Sequence, residues 1–223
     1  MGACARDKLS AMTTRGLSNG GGEVARKARS RQLLGVDDPI TSPVDRVLVC
    51  GVSGSGKTTL ARAIGVRWGL PHTEIDGLYH GPGWEPRPEF LADVSRFARE
   101  ARWVTEWQYT SKGAGEILEP RAQLAVWLDY SRPVVRWRLF RRTFGRGLLR
   151  TRLWNGNREG PVWRMLSRDP EQNIMAWQTK TLHTWRSRMA VVLARNPDLS
   201  VVRLRTPRET RRWLAALPER RAG

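Results

Sequence analysis

Cysteine is nearly absent from this chain of 223 residues: Cys4 lies in a polar stretch and Cys50 at the end of an apolar run. Two such residues make no disulfide framework, which fits a reducing compartment and a cytoplasmic location. Three histidines are scattered through the chain, with no metal-ligand spacing. No apolar run reaches the length of a signal peptide or a membrane span, so nothing argues for export or a membrane partner. Arg6 stands where a myristoylation signal needs Ser or Thr. The Asn-Lys-x-Asp motif of guanine-specific sites does not occur. Disulfide scaffolds, zinc modules, membrane spans and GTPases are thereby set aside.

What is present begins with "GVSGSGKTTL", residues 51–60. Gly51, Gly56, Lys57 and Thr58 fit the G-x-x-x-x-G-K-[ST] phosphate loop. In that motif consecutive backbone N–H groups turn inward onto phosphate oxygens, and glycine permits the close approach. Gly51, Ser53, Gly54, Ser55, Gly56, Lys57, Thr58 and Thr59 are therefore the nucleotide-binding candidates. Lys57 reaches the β- and γ-phosphates in this reading, and the Thr58 hydroxyl ligates Mg²⁺. A buried strand (Arg46–Cys50) precedes the loop and a helix (Thr58–Trp68) follows it. Helix dipole and free N–H groups then converge on one anion. The competing reading is a plain glycine turn.

Residues 1–43 show no apolar period and read as a disordered basic extension, or as sequence upstream of the true start. A nucleic-acid-binding arm is the functional alternative, set against only seven basic and four acidic residues there. The domain spans 44–217, and 218–223 form a short tail. After the first strand, strands are expected at Pro71–Asp76, Arg102–Trp107, Gln123–Asp129 and Leu199–Leu204. Helices are expected at Pro88–Ala101, Ser131–Phe144, Glu171–Ala194 and Pro207–Leu217. Alternating β and α units predict an α/β fold, a five-stranded parallel sheet with helices on both faces.

Ligands in such sheets sit beyond the carboxyl ends of the strands. Acids end three of the expected strands: Glu74 and Asp76 the second, Glu106 the third and Asp129 the fourth. Glu74 and Glu106 are candidates near Mg²⁺, Glu74 through water, while Asp76 faces the acceptor. Asp129 either ends a Walker-B-like strand or caps the helix after it. In "GLYHGPGWEPRP", His80 is a candidate hydrogen-bond partner; Trp84 is either a stacking wall or a plug beneath the next helix.

Net charge is +18, with thirty-four arginines to five lysines, an imbalance that suggests a compositional habit as much as a selected surface. Residues 132–168 hold eleven arginines and one acid, Glu159. Arg138 and Arg142 share a helix face and suit the charge that develops during phosphoryl transfer. The Gly- and Arg-rich stretch at about 145–165 reads as a lid that excludes water on closure. A solvated basic helix face is the competing reading for some of these arginines.

Four segments, "GVSGSGKTTLA", "EIDGLYHGPGW", "WVTEWQY" and "WLDYSRPVVRWRLFRR", resemble the adenylate-kinase-like P-loop proteins of bacteria called DNA topology modulation proteins. Asp76, Pro82, Gly83 and Trp84 match that family's acceptor-side turn, with His80 in its first aromatic position. Glu106, Trp107, Gln108 and Tyr109 replace its usual Asp-Gly-Asn-Tyr, and Asn157 with Glu159 resembles its lid-end Asn-x-Glu. The resemblance runs from Arg46 to Leu217. It implies a nucleoside-monophosphate-kinase-like fold with strand order 2-3-1-4-5. The expected activity is ATP- and Mg²⁺-dependent phosphoryl transfer to a small acceptor, a nucleotide or related metabolite. Lys57, Arg138, Arg142 and Glu106 would be catalytic, and Asp76, His80, Trp84 and Tyr109 would hold the acceptor, in a monomer or weak dimer. The alternative is a nucleotide-dependent nucleic-acid binder without kinase activity. It rests on the charge and on Trp137, Trp154 and Trp163 among the arginines; its use of nucleic acid as partner is not the favoured reading.

Overall fold

Alternation along the strands sets the layering. A computed structural model describes residues 33–149 and 174–220, with side chains for 33–141 and 185–220. The strands are β1 (Leu33–Leu34), β2 (Arg46–Gly51), β3 (His72–Thr73), β4 (Trp103–Glu106), β5 (Leu124–Leu128) and β6 (Ser200–Leu204). Successive side chains point to opposite faces of a strand. Val47 and Val49 of β2, Leu124, Val126 and Leu128 of β5, and Val202 and Leu204 of β6 share one buried layer. Leu48, Cys50, Ala125, Trp127 and Val201 share the other. Both faces are thus apolar, as a parallel sheet requires.

Helices α1 (Lys57–Trp68), α2 (Ile75–Tyr79), α3 (Phe90–Ala98), α4 (Ala114–Leu118), α5 (Arg132–Leu149), α6 (Ile174–Arg195) and α7 (Pro207–Ala216) supply the covering layers. Leu60, Ile64 and Trp68 of α1 and Trp213 of α7 fill one layer. Phe90, Val94, Met189 and Val192, from α3 and α6, fill the other. Each fully buried large side chain contributes about 1.5–3 kcal/mol. A reciprocal cap starts α7. Thr206 Oγ1 accepts from Glu209 N at 3.1 Å, and Glu209 Oε2 accepts from Arg205 N at 2.7 Å.

The expected five-stranded sheet is corrected to six strands among the described residues, in the order β1-β6-β5-β2-β4-β3. The addition is β1, which pairs Leu33 and Leu34 with Val201 and Val202 inside the segment expected to be disordered. All pairings between the described strands are parallel, with β2 between β4 and β5. Residues 1–32 of the expected extension lie outside the described residues, as do positions 150–165 of the expected lid and 221–223 of the tail. Residues 218–220 are tied down: Trp68 Nε1 donates to Pro218 O at 2.9 Å, and Arg220 binds Asp45 at 2.8 Å.

Two further expectations change. The second strand stops at Thr73, and the chain turns into α2, so Asp76 lies in a helical first turn rather than at a strand end. The helix expected to finish at Phe144 runs to Leu149, with Gly145 and Gly147 inside it. Among the described residues no helix is long and apolar enough to cross a membrane.

Candidate functional site

The glycine loop lies directly beneath α5. A Cβ on Gly54, whose φ is +82°, would meet Leu139 Cβ at 3.0 Å and the Val135 carbonyl at 3.1 Å. A Cβ on Gly56, at φ +98°, would meet the Arg138 guanidinium at 2.8 Å. Glycine is required there by backbone conformation and by space together. Arg138 also lies 5.7 Å above the Tyr130 ring, which helps orient it toward the loop. Lys57 opens α1 nearly buried, its Nζ donating to Val52 O at 3.4 Å. Ser55 Oγ is buried and has no hydrogen-bond partner among the described residues. A helix N-terminus, a buried ammonium and an overlying guanidinium make this a strongly anion-selective pocket.

Glu106 links the loop to the neighbouring strands. It ends β4 opposite Val49 of β2 and is 1% exposed. Its Oε1 lies 3.2 Å from His72 Nε2, and its Oε2 accepts from Ile75 N at 3.3 Å. Burial pushes this carboxyl upward, but His72, the Glu106 backbone N–H and Thr58 outweigh it and hold it below 4.5. A lowered folded-state value means the unfolded chain binds more protons as the pH falls. The Glu106 contribution is therefore complete above 4.5 and lost as pH drops through the lowered value. Urea midpoints measured downward from pH 6 are expected to fall more steeply for the wild type than for Glu106→Gln. Parallel curves would remove Glu106 from the acid response.

The bond from Ile75 N also explains α2, since Glu106 satisfies a free N–H at the start of that helix. Asp76 then faces the loop after β4. Its Oδ1 accepts from Tyr109 OH at 2.7 Å and from Gln108 Nε2 at 3.2 Å. The same phenol oxygen is 3.0 Å from His80 Nε2. Burial and the Asp76 charge push the Tyr109 phenol far above its ordinary value, so it remains a donor. Tyr79 stacks on Tyr109 at 4.0 Å, and Trp84, about a third exposed, meets His80 edge-on at 5.2 Å. Trp84 and Tyr109 are the non-glycine residues with positive φ among those described, 67° and 51°. Such strain persists only where the surroundings over-determine it, and it clusters at functional sites.

Asp129 does not cap α5, which starts at Arg132. It is buried and held by Arg186 Nε at 3.2 Å and Arg203 Nε at 2.9 Å. Glu74 pairs with Arg62 on α1. Arg142 lies within α5, its side chain outside those described.

Spacing alone did not reveal three participants. Gln108 and Tyr79 become partners only through the loop after β4. Pro207 joins Val134, Trp137, Arg138 and Arg141 around an open cavity of about 510 Å³ on α5. A proline at the first turn of a helix after the last strand was visible, but not that it faces α5.

As to metal, no group of three His, Cys, Asp or Glu side chains is placed to hold an ion among the described residues. A phosphate-associated Mg²⁺ needs none, because it keeps several waters and takes one or two protein oxygens. The Thr58 hydroxyl, at the second position of α1 directly after Lys57, fits that requirement.

No family model and no curated relative matches the sequence. The chain is similar in structure to a gluconokinase from Sinorhizobium meliloti 1021, at 21% identity and TM-score 0.44, over 77% of this chain and 90% of that one. It is also similar to a sugar kinase from Janibacter sp. HTCC2649, at 21% identity and TM-score 0.39, over 79% of this chain and all of that one. Neither likeness defines what this chain binds, and the resemblance to DNA topology modulation proteins rests on the motifs quoted above.

Proposed function

We propose that this chain is a P-loop phosphotransferase that moves the γ-phosphoryl group of ATP to a small-molecule acceptor. The observation that carries this reading is Arg138 lying over Gly56, which sets a guanidinium above the glycine loop. The loop N–H groups and Lys57 bind the phosphates, and the cavity between Arg138, Trp137 and Pro207 takes the nucleoside base. Arg138 stabilises charge on the equatorial oxygens as the phosphoryl group passes. Mg²⁺, when bound, would neutralise phosphate charge; Thr58 would supply its protein oxygen, and Glu106, the buried carboxylate at the end of β4, would support it through the metal's waters. Glu74, already paired with Arg62, serves the metal less directly. Residues of α2 and the loop after β4 hold the acceptor, and the lid excludes water.

The test is binding and turnover of terminally labelled ATP. Saturable, Mg²⁺-dependent binding with label passed to an organic acceptor is expected. An absence of ATP binding would remove the proposal.

One observation favours a second reading, a nucleic-acid binder. Trp137 and Phe140 are 61% and 48% exposed and stack at 6.2 Å on the arginine-rich α5. Exposed rings among cations suit base stacking. A steep loss of single-strand affinity with salt, in a protein without phosphoryl transfer, would select it.

A further inference from the structure

The acceptor wall carries a carboxylate fixed in one orientation. Both hydrogen bonds to Asp76 end on Oδ1, from Tyr109 and from Gln108. Oδ2 has no partner among the described residues. Tyr109 spends its only hydroxyl hydrogen on Asp76, so His80 Nε2, 3.0 Å away, is the donor to the phenol oxygen. The chain of bonds therefore runs from His80 through Tyr109 to one oxygen of Asp76, leaving the other to accept. Two strained residues, Trp84 and Tyr109, hold this arrangement, and Trp84 adds a flat, partly exposed wall beside His80.

Among the described residues, the arginines packed against this wall are not free to meet an anionic acceptor. The nearby arginines already face carboxylates: Arg62 pairs with Glu74, Arg87 with Asp93 at 2.9 Å, and Arg188 with Glu119 at 2.7 Å. A phosphorylated acceptor would approach Asp76 against like charge. An acceptor hydroxyl instead has a ready proton acceptor in Oδ2.

Resting on the phosphotransferase reading, we propose that the acceptor is an uncharged hydroxyl compound whose attacking hydroxyl gives its proton to Asp76 Oδ2. In that step a bond forms between the acceptor oxygen and the γ-phosphorus. The bond from that phosphorus to the bridging oxygen breaks, ADP leaves with the electron pair, and the proton passes to Asp76. Water is the competing hydroxyl, and Trp84 favours a ring with an apolar face over it.

Terminally labelled ATP distinguishes the outcomes when offered with separate acceptor sets. These are neutral monosaccharides and polyols, neutral nucleosides, and nucleoside monophosphates with sugar phosphates. Label on a neutral set is expected, and which neutral set carries it separates a free carbohydrate from a nucleoside. Preferred labelling of the monophosphates or sugar phosphates overturns the proposal. Binding of ATP with no labelled neutral acceptor also overturns it, while the nucleotide site stands. Loss of ATP binding itself would instead bring down the phosphotransferase reading. With the labelled neutral acceptor, Asp76→Asn is expected to lower kcat about a hundredfold while ATP affinity stays within about twofold. Tyr109→Phe, which removes one of the two bonds to Oδ1, should fall between it and the wild type. Unchanged kcat in a folded Asp76→Asn protein overturns the proton-acceptor role.

Discussion

Lys57→Ala is expected to reduce phosphoryl transfer about a thousandfold in a protein that still folds. Lys57 is nearly buried at the first position of α1, where bulk water screens its charge little. Its attraction for the phosphates rises as charge moves onto the transferring group, so the loss falls on turnover. Folding should survive because alanine is a better helix former than lysine and removes an amine that burial disfavours. Steady-state kinetics with a thermal melt on the same sample make the check. Wild-type turnover from the folded variant would end the phosphotransferase reading.

Arg138→Ala should rank next, with turnover lowered about a hundredfold and a smaller loss of ATP affinity. The Arg138 side chain adjoins Gly56 and the Tyr130 ring, so its removal leaves the loop intact but uncovered. Arg138→Lys is not expected to rescue activity, because an ammonium lacks the planar fork that meets two oxygens at once. Arg142→Ala, one helical turn further on, should follow the same direction. If α5 instead serves a polynucleotide, both variants would keep any turnover. They would lose DNA affinity, with a shallower salt slope for each arginine removed. That pattern would sink the role given to Arg138.

Much of this was legible where chemistry restricts the residue. Gly56, Lys57 and Thr58 tolerate few substitutes in a phosphate cradle, and the apolar runs around Val47 and Val126 read directly as buried strands. Partners distant in sequence were not legible. Asp129 looks like a helix cap because Ser131 and Pro133 follow it closely, but Arg186 and Arg203 claim it from 57 and 74 residues away. Asp76 reads as a strand end until Glu106 takes the Ile75 N–H and turns the chain into α2. Gly145 and Gly147 suggested a break after Phe144, yet each glycine costs a helix only about 1 kcal/mol, and the surrounding Leu and Arg residues favour continuation. The acid and aromatic residues named for the acceptor side are brought together at Asp76, His80, Trp84 and Tyr109, while the part played by Gln108 emerges only from its bond to Asp76.

The two residues of β1 have a consequence for handling the protein. A strand at the margin of a sheet presents unpaired N–H and C=O groups that can recruit another chain. Leu33 and Leu34 occupy that margin on β6, beside the fully buried Val201 and Val202. Trimming the polar leader back to the glycine loop's own strand would strip this cover. The shortened protein would then be prone to stacking edge to edge, so a segment that reads as dispensable acts as a guard against aggregation.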